Sequence, residues 1–330
     1  MARDGLAVGG RVDTCAVGTG VDTATDCEAI TGNVPNLSEQ DQFDYTVTNG
    51  KRIFFDAGSE CPGSDIRWSA TAPLGAAWTS VRICTDEEKV PTADGTIRVL
   101  VGGQGGTASG NYAFRVYQPV DATGTIGTNG TAVTATTTVP GQNVRLTFNG
   151  TAGQRISASM TGATFAEGYF LNFIRPNGTQ LTYSSHATGT AFKDTFPLDV
   201  SGTWTVEVNP NDDDTGHVSL KLHTVVDQSG TITLGPTVPV STTTPGQNAR
   251  FTFSGSTGQK VAVRLTNGTW EDGGILYLYR PNGTYLTYGS GFETMNIASA
   301  TLDATGTWSI LVDPSGGATG TGTLDLNTAP

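Results

Sequence analysis

The stretch that decides the fold is PGQNVRLTFNGTAGQR at residues 140–155, because the chain repeats it as PGQNARFTFSGSTGQK at residues 245–260. The two copies lie 105 positions apart. The same spacing separates RPNGT at residues 175–179 from RPNGT at residues 280–284. A repeat of this length predicts a structural module of about 105 residues that occurs twice in succession.

Inside each copy, apolar residues alternate with polar ones, which is the period of a strand with one buried face and not that of a helix. The alternating apolar positions are Val144, Leu146 and Phe148 in one copy and Ala249, Phe251 and Phe253 in the other. Pairs of Asn and Gly between such segments predict tight turns in which both central residues take positive φ. We therefore expect an all-β fold of three tandem antiparallel β-sandwich domains of jelly-roll type.

Besides the two clear copies, the start of the chain holds a fainter copy, which is predicted to form the first of the three domains. FDYTVTNGKRI at residues 43–53 parallels FTFSGSTGQKV at residues 251–261. The predicted boundaries give a divergent, disulfide-containing domain at 1–119 and two closely similar repeats at 120–225 and 226–330.

Charge narrows the range of partners. The chain carries 30 Asp and Glu residues against 18 Lys and Arg residues, a formal net charge of −12. Phosphate backbones and anionic lipid surfaces repel such a chain, so no nucleic acid and no membrane is expected as a partner. No apolar run reaches the roughly 20 residues that span a bilayer.

All four cysteines, Cys15, Cys27, Cys61 and Cys84, fall in the first quarter of the chain. They lack the close pairs typical of zinc sites, and their even number favours disulfide bonds. Three pairings are possible; we favour Cys15 with Cys27 and Cys61 with Cys84, since sequential pairing suits a loop-rich head followed by a strand pair. Disulfides imply an oxidising compartment, so the chain is predicted to be secreted or cell-surface exposed. Reduced thiols in a cytosolic protein are the alternative.

The ordered motifs PGQN, GQ followed by Arg155 or Lys260, RPNGT and GTW resemble those of bacterial pre-peptidase C-terminal domains. The second and third copies match over nearly their full length, whereas the first matches from about Phe43 and departs at its cysteines and at residues 56–88. The resemblance implies a jelly-roll-like sandwich, found beside secreted peptidases and in tandem on large exported proteins, including ones of RHS type. It also implies an accessory, non-catalytic module that in some cases binds calcium or a polymer such as collagen or polysaccharide.

Calcium is the one cofactor that the sequence suggests, because carboxylates in turns are its ligands. The candidate ligands Asp212, Asp213 and Asp214 share one turn, whereas the matching turn of the last copy has only Asp313. Since that turn closes without the extra acids, they are free to hold a cation. A solvated acidic turn is the competing interpretation.

Asp121 and Asp227 occupy the same position at the two module boundaries and are further candidates for calcium. An ion bound there would stiffen the array. The alternative is an Asp that simply favours a turn.

Ligand-binding sandwiches present aromatic side chains on exposed strands or loops, where flat rings stack on sugars or pack on peptide chains. Asn172 stands where Tyr277 stands in the next copy, which indicates that this position faces solvent. The predicted aromatic patch consists of Tyr277, Tyr279, Trp270, Tyr285 and Tyr288. In the competing interpretation, Tyr279, which matches Ile174, packs under a loop.

An enzyme is not expected. The three histidines, His186, His217 and His223, all lie in the middle copy, and the HExxH, GxSxG and CxxC motifs are absent from the sequence. His217 and His223 would stand about 20 Å apart on one strand, too far to share a metal. A hydrolase hidden in the divergent first domain remains as an alternative, built on acids such as Asp56, Glu60, Asp65 and Asp86.

The sequence therefore predicts a non-catalytic extracellular array that serves as a spacer, an adhesion element or a substrate anchor within a larger secreted protein. A carbohydrate- or matrix-binding module acting through its aromatic residues is the first alternative, and the hidden hydrolase is the second. The expected partners are a polysaccharide, cell-surface or matrix polymer, or another copy paired through an exposed sheet edge.

Overall fold

A computed structural model of the protein describes residues 30–34, 40–57, 66–103 and 110–330. Within these ranges the regular structure consists of β-strands, which confirms the predicted all-β class. The described residues include no helix that has the length and apolar character needed to cross a membrane. We call the described residues up to 119 the first module, residues 120–225 the second module and residues 226–330 the third module.

The first module contains β1 (Ile30–Val34), β2 (Gln40–Val47), β3 (Ile53–Asp56), β4 (Ile66–Thr71), β5 (Ala77–Arg82), β6 (Glu87–Lys89), β7 (Gly95–Gly103) and β8 (Gly110–Tyr117). The second contains β9 (Ala122–Thr125), β10 (Val133–Thr137), β11 (Val144–Gly150), β12 (Arg155–Ala163), β13 (Tyr169–Ile174), β14 (Gln180–His186), β15 (Gly189–Pro197), β16 (Gly202–Pro210) and β17 (Gly216–Val225). The third contains β18 (Gln228–Thr231), β19 (Val238–Thr242), β20 (Ala249–Gly255), β21 (Lys260–Thr266), β22 (Gly274–Tyr279), β23 (Tyr285–Gly291), β24 (Met295–Thr301), β25 (Gly306–Pro314) and β26 (Gly320–Thr328).

The strand order repeats from module to module. The second module forms the sheets β10-β17-β12-β15 and β14-β13-β16-β11-β9, and the third forms β19-β26-β21-β24 and β23-β22-β25-β20-β18. Each strand of the second module is thus matched by the strand of the third module whose number is higher by nine. The first module has the sheets β1-β8-β3-β6 and β5-β4-β7-β2, the same order without a counterpart of β9. The repeated sequence motifs therefore correspond to a repeated topology.

Each module has a cluster of buried side chains between its two sheets. Trp204 and Trp308, from the GTW motifs, are fully buried in the second and third clusters. Their indole N–H groups donate to the carbonyl oxygens of Val200 and Ala304, at 3.0 and 3.1 Å. The alternating residues of β11 are buried as predicted, and this burial supplies the main stabilising free energy of a sandwich.

The described strand pairs are antiparallel as predicted, except for one short parallel pair in each of the second and third modules. β9 pairs with β11 in parallel, and β18 pairs with β20 in parallel. After β9 the chain crosses to the other sheet as β10 and returns as β11, so two reversals leave β9 and β11 running in the same direction.

The prediction that Asn-Gly pairs form turns with positive φ at both residues is corrected. Asn149 and Gly150 end strand β11 instead of forming a turn. In the RPNGT turn only Gly178 has positive φ, at 85°. Asn177 contributes through its side chain, whose oxygen accepts the backbone N–H of Thr179 at 3.0 Å.

The PGQN motif stabilises the junction between successive modules through hydrogen bonds to the residues at the module boundary. At the first junction the carboxylate of Asp121 forms ion pairs with Arg52 of the first module and with Arg145 of the second. Asp121 also accepts the backbone N–H of Asn143 at 3.1 Å, and the Gln142 side chain donates to the carbonyl oxygen of Val120 at 2.7 Å. Gln and Asn of the motif thus hold the hinge residues.

The second junction repeats these contacts. Asp227 pairs with Arg155 of the second module and accepts the backbone N–H of Asn248 at 3.1 Å, while Gln247 donates to the carbonyl oxygen of Val226 at 2.7 Å. The PGQN loop also receives two side-chain hydrogen bonds from the second module. Ser157 donates to the carbonyl oxygen of Pro245 at 2.6 Å, and Thr195 donates to that of Gly246 at 2.8 Å. Successive modules are therefore joined in the same way.

Candidate functional site: a tyrosine face on the third module

Four tyrosines gather on the outer face of one sheet of the third module. Tyr277 and Tyr279 come from β22, and Tyr285 and Tyr288 come from the adjacent strand β23. The strand register places Tyr277 opposite Tyr288 and Tyr279 opposite Tyr285. The ring centroid of Tyr277 lies 5.8 Å from that of Tyr279, 6.2 Å from that of Tyr285 and 6.0 Å from that of Tyr288. We call these four residues the tyrosine face.

The alternation of β22 explains why the tyrosines point outward. Leu276 and Leu278 are fully buried in the core of the module. Since successive side chains of a strand point to opposite faces, Tyr277 and Tyr279 stand on the other side. Both are half-buried by their neighbours, which preorganises them.

The outer tyrosines are accessible. Tyr285 is 56% exposed and Tyr288 is 58% exposed. Burial raises the pKa of Tyr277 above its ordinary value of 10.0, and the nearby acid Asp313 and the other tyrosines raise it further. The Tyr277 hydroxyl is therefore protonated at neutral pH and available as a hydrogen-bond donor.

An arginine supports the inner edge of the face, and sequence reasoning did not single it out. The guanidinium carbon of Arg250 lies 5.0 Å from the centroid of the Tyr279 ring, and its Nη1 donates to the Ser309 hydroxyl at 2.8 Å. A cation at this distance attracts the ring by about 0.5–1 kcal/mol at a partly exposed site. The signal was present in the sequence, because Arg250 is the arginine that follows PGQN in the repeat.

Comparison with the second module shows why Arg250 is available. There the equivalent Arg145 binds Glu207, and Glu207 accepts the side-chain amide of Asn172 at 3.0 Å. In the third module Tyr277 replaces Asn172, and an apolar leucine replaces Glu207. Without the acid, Arg250 packs against Tyr279 instead.

Trp270, which we expected in the aromatic patch, does not belong to it. The residue is only 2% exposed and packs in the third core. Its indole N–H donates to the Thr242 hydroxyl at 2.7 Å, which satisfies its one polar group inside the protein. The matching residue of the second module is the fully buried Phe165, and this apolar counterpart was the signal for a core position.

The acidic turn of the second module faces the first module. A cavity of about 430 Å³ lies between them, and its lining includes Asp86, Glu88, Phe170 and Asp212. Burial raises the pKa of Asp86 to about 6, the backbone N–H of Ala57 lowers it in part, and nearby acids including Asp213 raise it further. The junction therefore concentrates negative charge from both modules.

The predicted calcium ligands have protein partners in several cases. Asp214 accepts the backbone N–H of Glu167 at 2.5 Å, and Asp121 and Asp227 form the arginine pairs of the junctions. Burial, and secondarily the charge of Asp56, raises the pKa of Asp213. Among the described residues, no group of three or more His, Cys, Asp or Glu side chains is arranged to hold a metal ion. Calcium binding through Asp212 to Asp214 or through the hinge acids stays a prediction.

The remaining candidates do not form a shared site in the described residues. Cys84 packs against the first core, whereas Cys15, Cys27 and Cys61 lie outside the described residues, and their pairing stays a prediction. The histidines are dispersed. Burial, followed by the charge of a neighbouring lysine, lowers the pKa of His186 and of His223, while His217 accepts or donates at the Thr164 hydroxyl.

For the alternative hydrolase site, Asp56 is buried and the Asp86 carboxylate accepts the backbone N–H of Ala57 at 2.8 Å. Glu60 and Asp65, the other acids proposed for it, lie outside the described residues. A site made of all four acids therefore stays untested, because the described residues include only Asp56 and Asp86 of the four.

Solved structures with a similar fold are β-sandwich proteins. The pre-peptidase C-terminal domain of a collagenase from Bacillus anthracis is 17% identical, and the match covers 31% of this chain and 97% of that domain with a TM-score of 0.27. PliG, a periplasmic inhibitor of g-type lysozyme from Aeromonas hydrophila, is 13% identical over 31% of this chain and 98% of its own, with a TM-score of 0.24. The CUB1-EGF-CUB2 region of human MASP-1/3 is 8% identical over 59% of this chain and 99% of its own, with a TM-score of 0.22.

The collagenase domain is of the kind that the sequence motifs resemble, and its match spans about one module. No protein-family model and no curated protein matches the chain. At these sequence identities and TM-scores, similarity to the solved structures does not indicate a function for this chain. The function is therefore inferred from the residues of the chain.

Proposed function

We propose that this chain is a non-catalytic extracellular array that anchors a larger secreted protein to a neutral polysaccharide. The observation that carries the proposal is the tyrosine face, in which four rings are held side by side on a rigid sheet and two of them are more than half exposed. The even number of cysteines supports an oxidising, extracellular setting.

The chemistry of the face suits sugars. Tyrosine offers a flat apolar ring and a hydroxyl at low cost in side-chain entropy, so it can both stack on a sugar ring and hydrogen-bond to its hydroxyls. Strand β23, with the sequence YLTYGSG, contains no Asp, Glu, Lys or Arg. An uncharged, hydroxyl-rich strand favours a neutral polymer, and the net charge of −12 disfavours a polyanion.

The repeated junctions support the role of an array. Each places an Asp–Arg pair and a PGQN loop between consecutive modules. Because these ion pairs and hydrogen bonds fix each module against the one before it, they hold the tyrosine face at a set distance from the first module. We propose that each module also folds around its own core, so that the array combines spacing with anchoring.

The test is a depletion assay with insoluble cellulose, chitin and xylan, comparing the parent chain with a Tyr285→Ala/Tyr288→Ala variant. Truncating exposed aromatic anchors costs about 1 kcal/mol or more each, so we expect an affinity about 30-fold lower. Phe292→Ala is the matched control, since Phe292 is 65% exposed but has no part in the tyrosine face. Equal binding by the double variant and the parent, or failure of the parent to bind any of the three polysaccharides, would refute the polysaccharide proposal.

A separate assay addresses the hydrolase alternative. We expect no turnover of ester, peptide or glycoside substrates by the full chain. Turnover that disappears in an Asp86→Asn variant would instead establish a catalytic site at the first junction.

A further inference from the structure

The second module exposes a tyrosine at the place where the third module exposes Tyr288. Tyr183 lies on β14, the edge strand of the sheet β14-β13-β16-β11-β9, and Tyr288 lies on the matching edge strand β23. Tyr183 pairs with Asn172 across the strands as Tyr288 pairs with Tyr277. The exposed fractions are nearly equal, at 56% for Tyr183 and 58% for Tyr288.

Tyr183 also has a ring partner. Its centroid lies 6.1 Å from that of Phe170, a spacing like that between Tyr288 and Tyr277. Phe170 belongs to β13 and lines the cavity beside the first junction. The second module therefore carries a two-ring surface that shares the Tyr288 position of the tyrosine face, whereas Phe170 stands where the third module has Ile275.

The strand that carries Tyr183 is of the same chemical kind as the strand that carries Tyr288, although Phe170 also lines the acidic cavity at the first junction. Strand β14, with the sequence QLTYSSH, contains no Asp, Glu, Lys or Arg. Burial, together with the charge of Lys193, lowers the pKa of its His186, which keeps the imidazole neutral at pH 7. The nearest cation, Lys193, donates to the backbone carbonyl of Tyr183 at 3.2 Å, on the main-chain side of the residue.

Single exposed aromatic residues are common on protein surfaces and by themselves signify little. Here the exposed ring recurs at one strand position in two modules, at the end of the shared sequence LTY, although the residues across the strand pair differ. Asn172 and Ile174 stand where the third module has Tyr277 and Tyr279. An exposed ring that recurs although its cross-strand neighbours differ points to a surface that contacts something outside the protein.

We infer that the second module carries a second contact surface for neutral polysaccharide, made of Tyr183 and Phe170, so that the chain binds an insoluble polymer through two modules at once. This inference rests on the proposed function. An insoluble polysaccharide presents many chains, and the clamped second junction holds the two surfaces on one body. Once one surface is bound, the other meets the polymer at a high effective concentration, which raises the overall affinity by 10² or more when both engage.

The experiment compares Tyr183→Ala with Tyr288→Ala, the same change at matching positions of the two modules. Binding to the insoluble polysaccharide is measured by depletion, and binding of a disaccharide from the same polymer is measured by calorimetric titration. Module centres stand roughly 30 Å apart for domains of this size, so a disaccharide cannot bridge the surfaces. Leu74→Ala, which removes a 79% exposed side chain of the first module, is the control.

We expect each tyrosine-to-alanine change to weaken binding to the insoluble polymer at least tenfold, and the parent to take up two disaccharides where Tyr183→Ala takes up one. The Leu74→Ala control should bind within twofold of the parent. Parent-like polymer binding by Tyr183→Ala, together with loss of binding by Tyr288→Ala, would overturn the second surface and leave the proposed function standing. Failure of the parent to bind any polysaccharide would overturn both.

Discussion

Replacing Gly141 by Ala should uncouple the first and second modules without a direct effect on either core. Gly141 belongs to the PGQN loop and has a φ of +73°. A Cβ atom added there would lie 2.6 Å from the Cβ of Phe54 in the first module. The Phe54 Cβ is fixed to strand β3, so it cannot rotate away from the new methyl group as the end of a flexible side chain could.

The magnitude follows from a matched glycine in the same module. Gly153 has a φ of +84°, and a Cβ added there meets nothing within 4 Å. Alanine at either position pays about 1–2 kcal/mol for a left-handed backbone. Only Gly141→Ala adds the overlap with Phe54, where carbon atoms that prefer 3.5–4.0 Å would be about 1 Å too close. Overpacking of this size lowers the free energy of unfolding by about 1–3 kcal/mol. If the modules separate instead, the loss equals the free energy with which the junction contacts stabilise the chain.

The two variants are compared by thermal unfolding and by small-angle X-ray scattering of the full chain. We expect both to lose stability, Gly141→Ala by about 1–3 kcal/mol more, and only Gly141→Ala to show a wider distribution of intermodule distances. Equal destabilisation with unchanged scattering would show that the contact between Gly141 and Phe54 does not couple the modules, and would refute this account of the junction.

Three further predictions follow from the same structure. Because burial, and then neighbouring acids, raises the pKa of Asp86 and of Asp313 to about 6 from 3.8, their contribution to stability is present below about pH 4 and is lost as pH rises through 6. As pH falls from 7.5 to 5.5, the free energy of unfolding should rise by on the order of 1 kcal/mol after solvent screening, which raises the melting temperature, and both increases should be smaller in an Asp86→Asn/Asp313→Asn variant. Trp270→Ala should destabilise the third module by about 3–5 kcal/mol in chemical denaturation, whereas a near-neutral change would contradict its core position. If Asp212 and its two neighbouring acids bind calcium, millimolar CaCl₂ should raise the melting temperature of the parent and not that of a variant with Asn at all three positions; no shift in the parent would remove the calcium prediction.

Much of the fold could be predicted because the repeat spacing and the alternation each have a direct structural cause. The alternation around Leu276 and Leu278 places them in the core and turns Tyr277 outward, as the structure shows. The repeat at residues 140–155 and 245–260 predicted a shared topology, which the strand orders bear out. Both signals are local or strictly periodic, so they can be read without coordinates.

The contacts between modules could not be predicted in this way. Asp121 and Arg52 are 69 positions apart and belong to different modules, so no periodicity links them. The sequence suggested Asp121 as an ion ligand or a turn residue, but its arginine partner is visible only in three dimensions. Trp270 was misplaced for a related reason, since an aromatic residue with a polar group suits both a surface and a core, and the hydroxyl of Thr242 decides between them.

The absence of charged residues from β14 and β23 has a consequence for the ionic strengths in which the protein can work. Contacts made by neutral rings and hydroxyls persist when salt screens electrostatic forces, whereas exposed ion pairs weaken as the Debye length falls to about 3 Å at 1 M. The ion pairs of the junctions, Asp121 with Arg52 and Asp227 with Arg155, are partly buried and are therefore screened much less than exposed pairs. Both the junctions of the array and its binding to a neutral polysaccharide should therefore persist in concentrated salt.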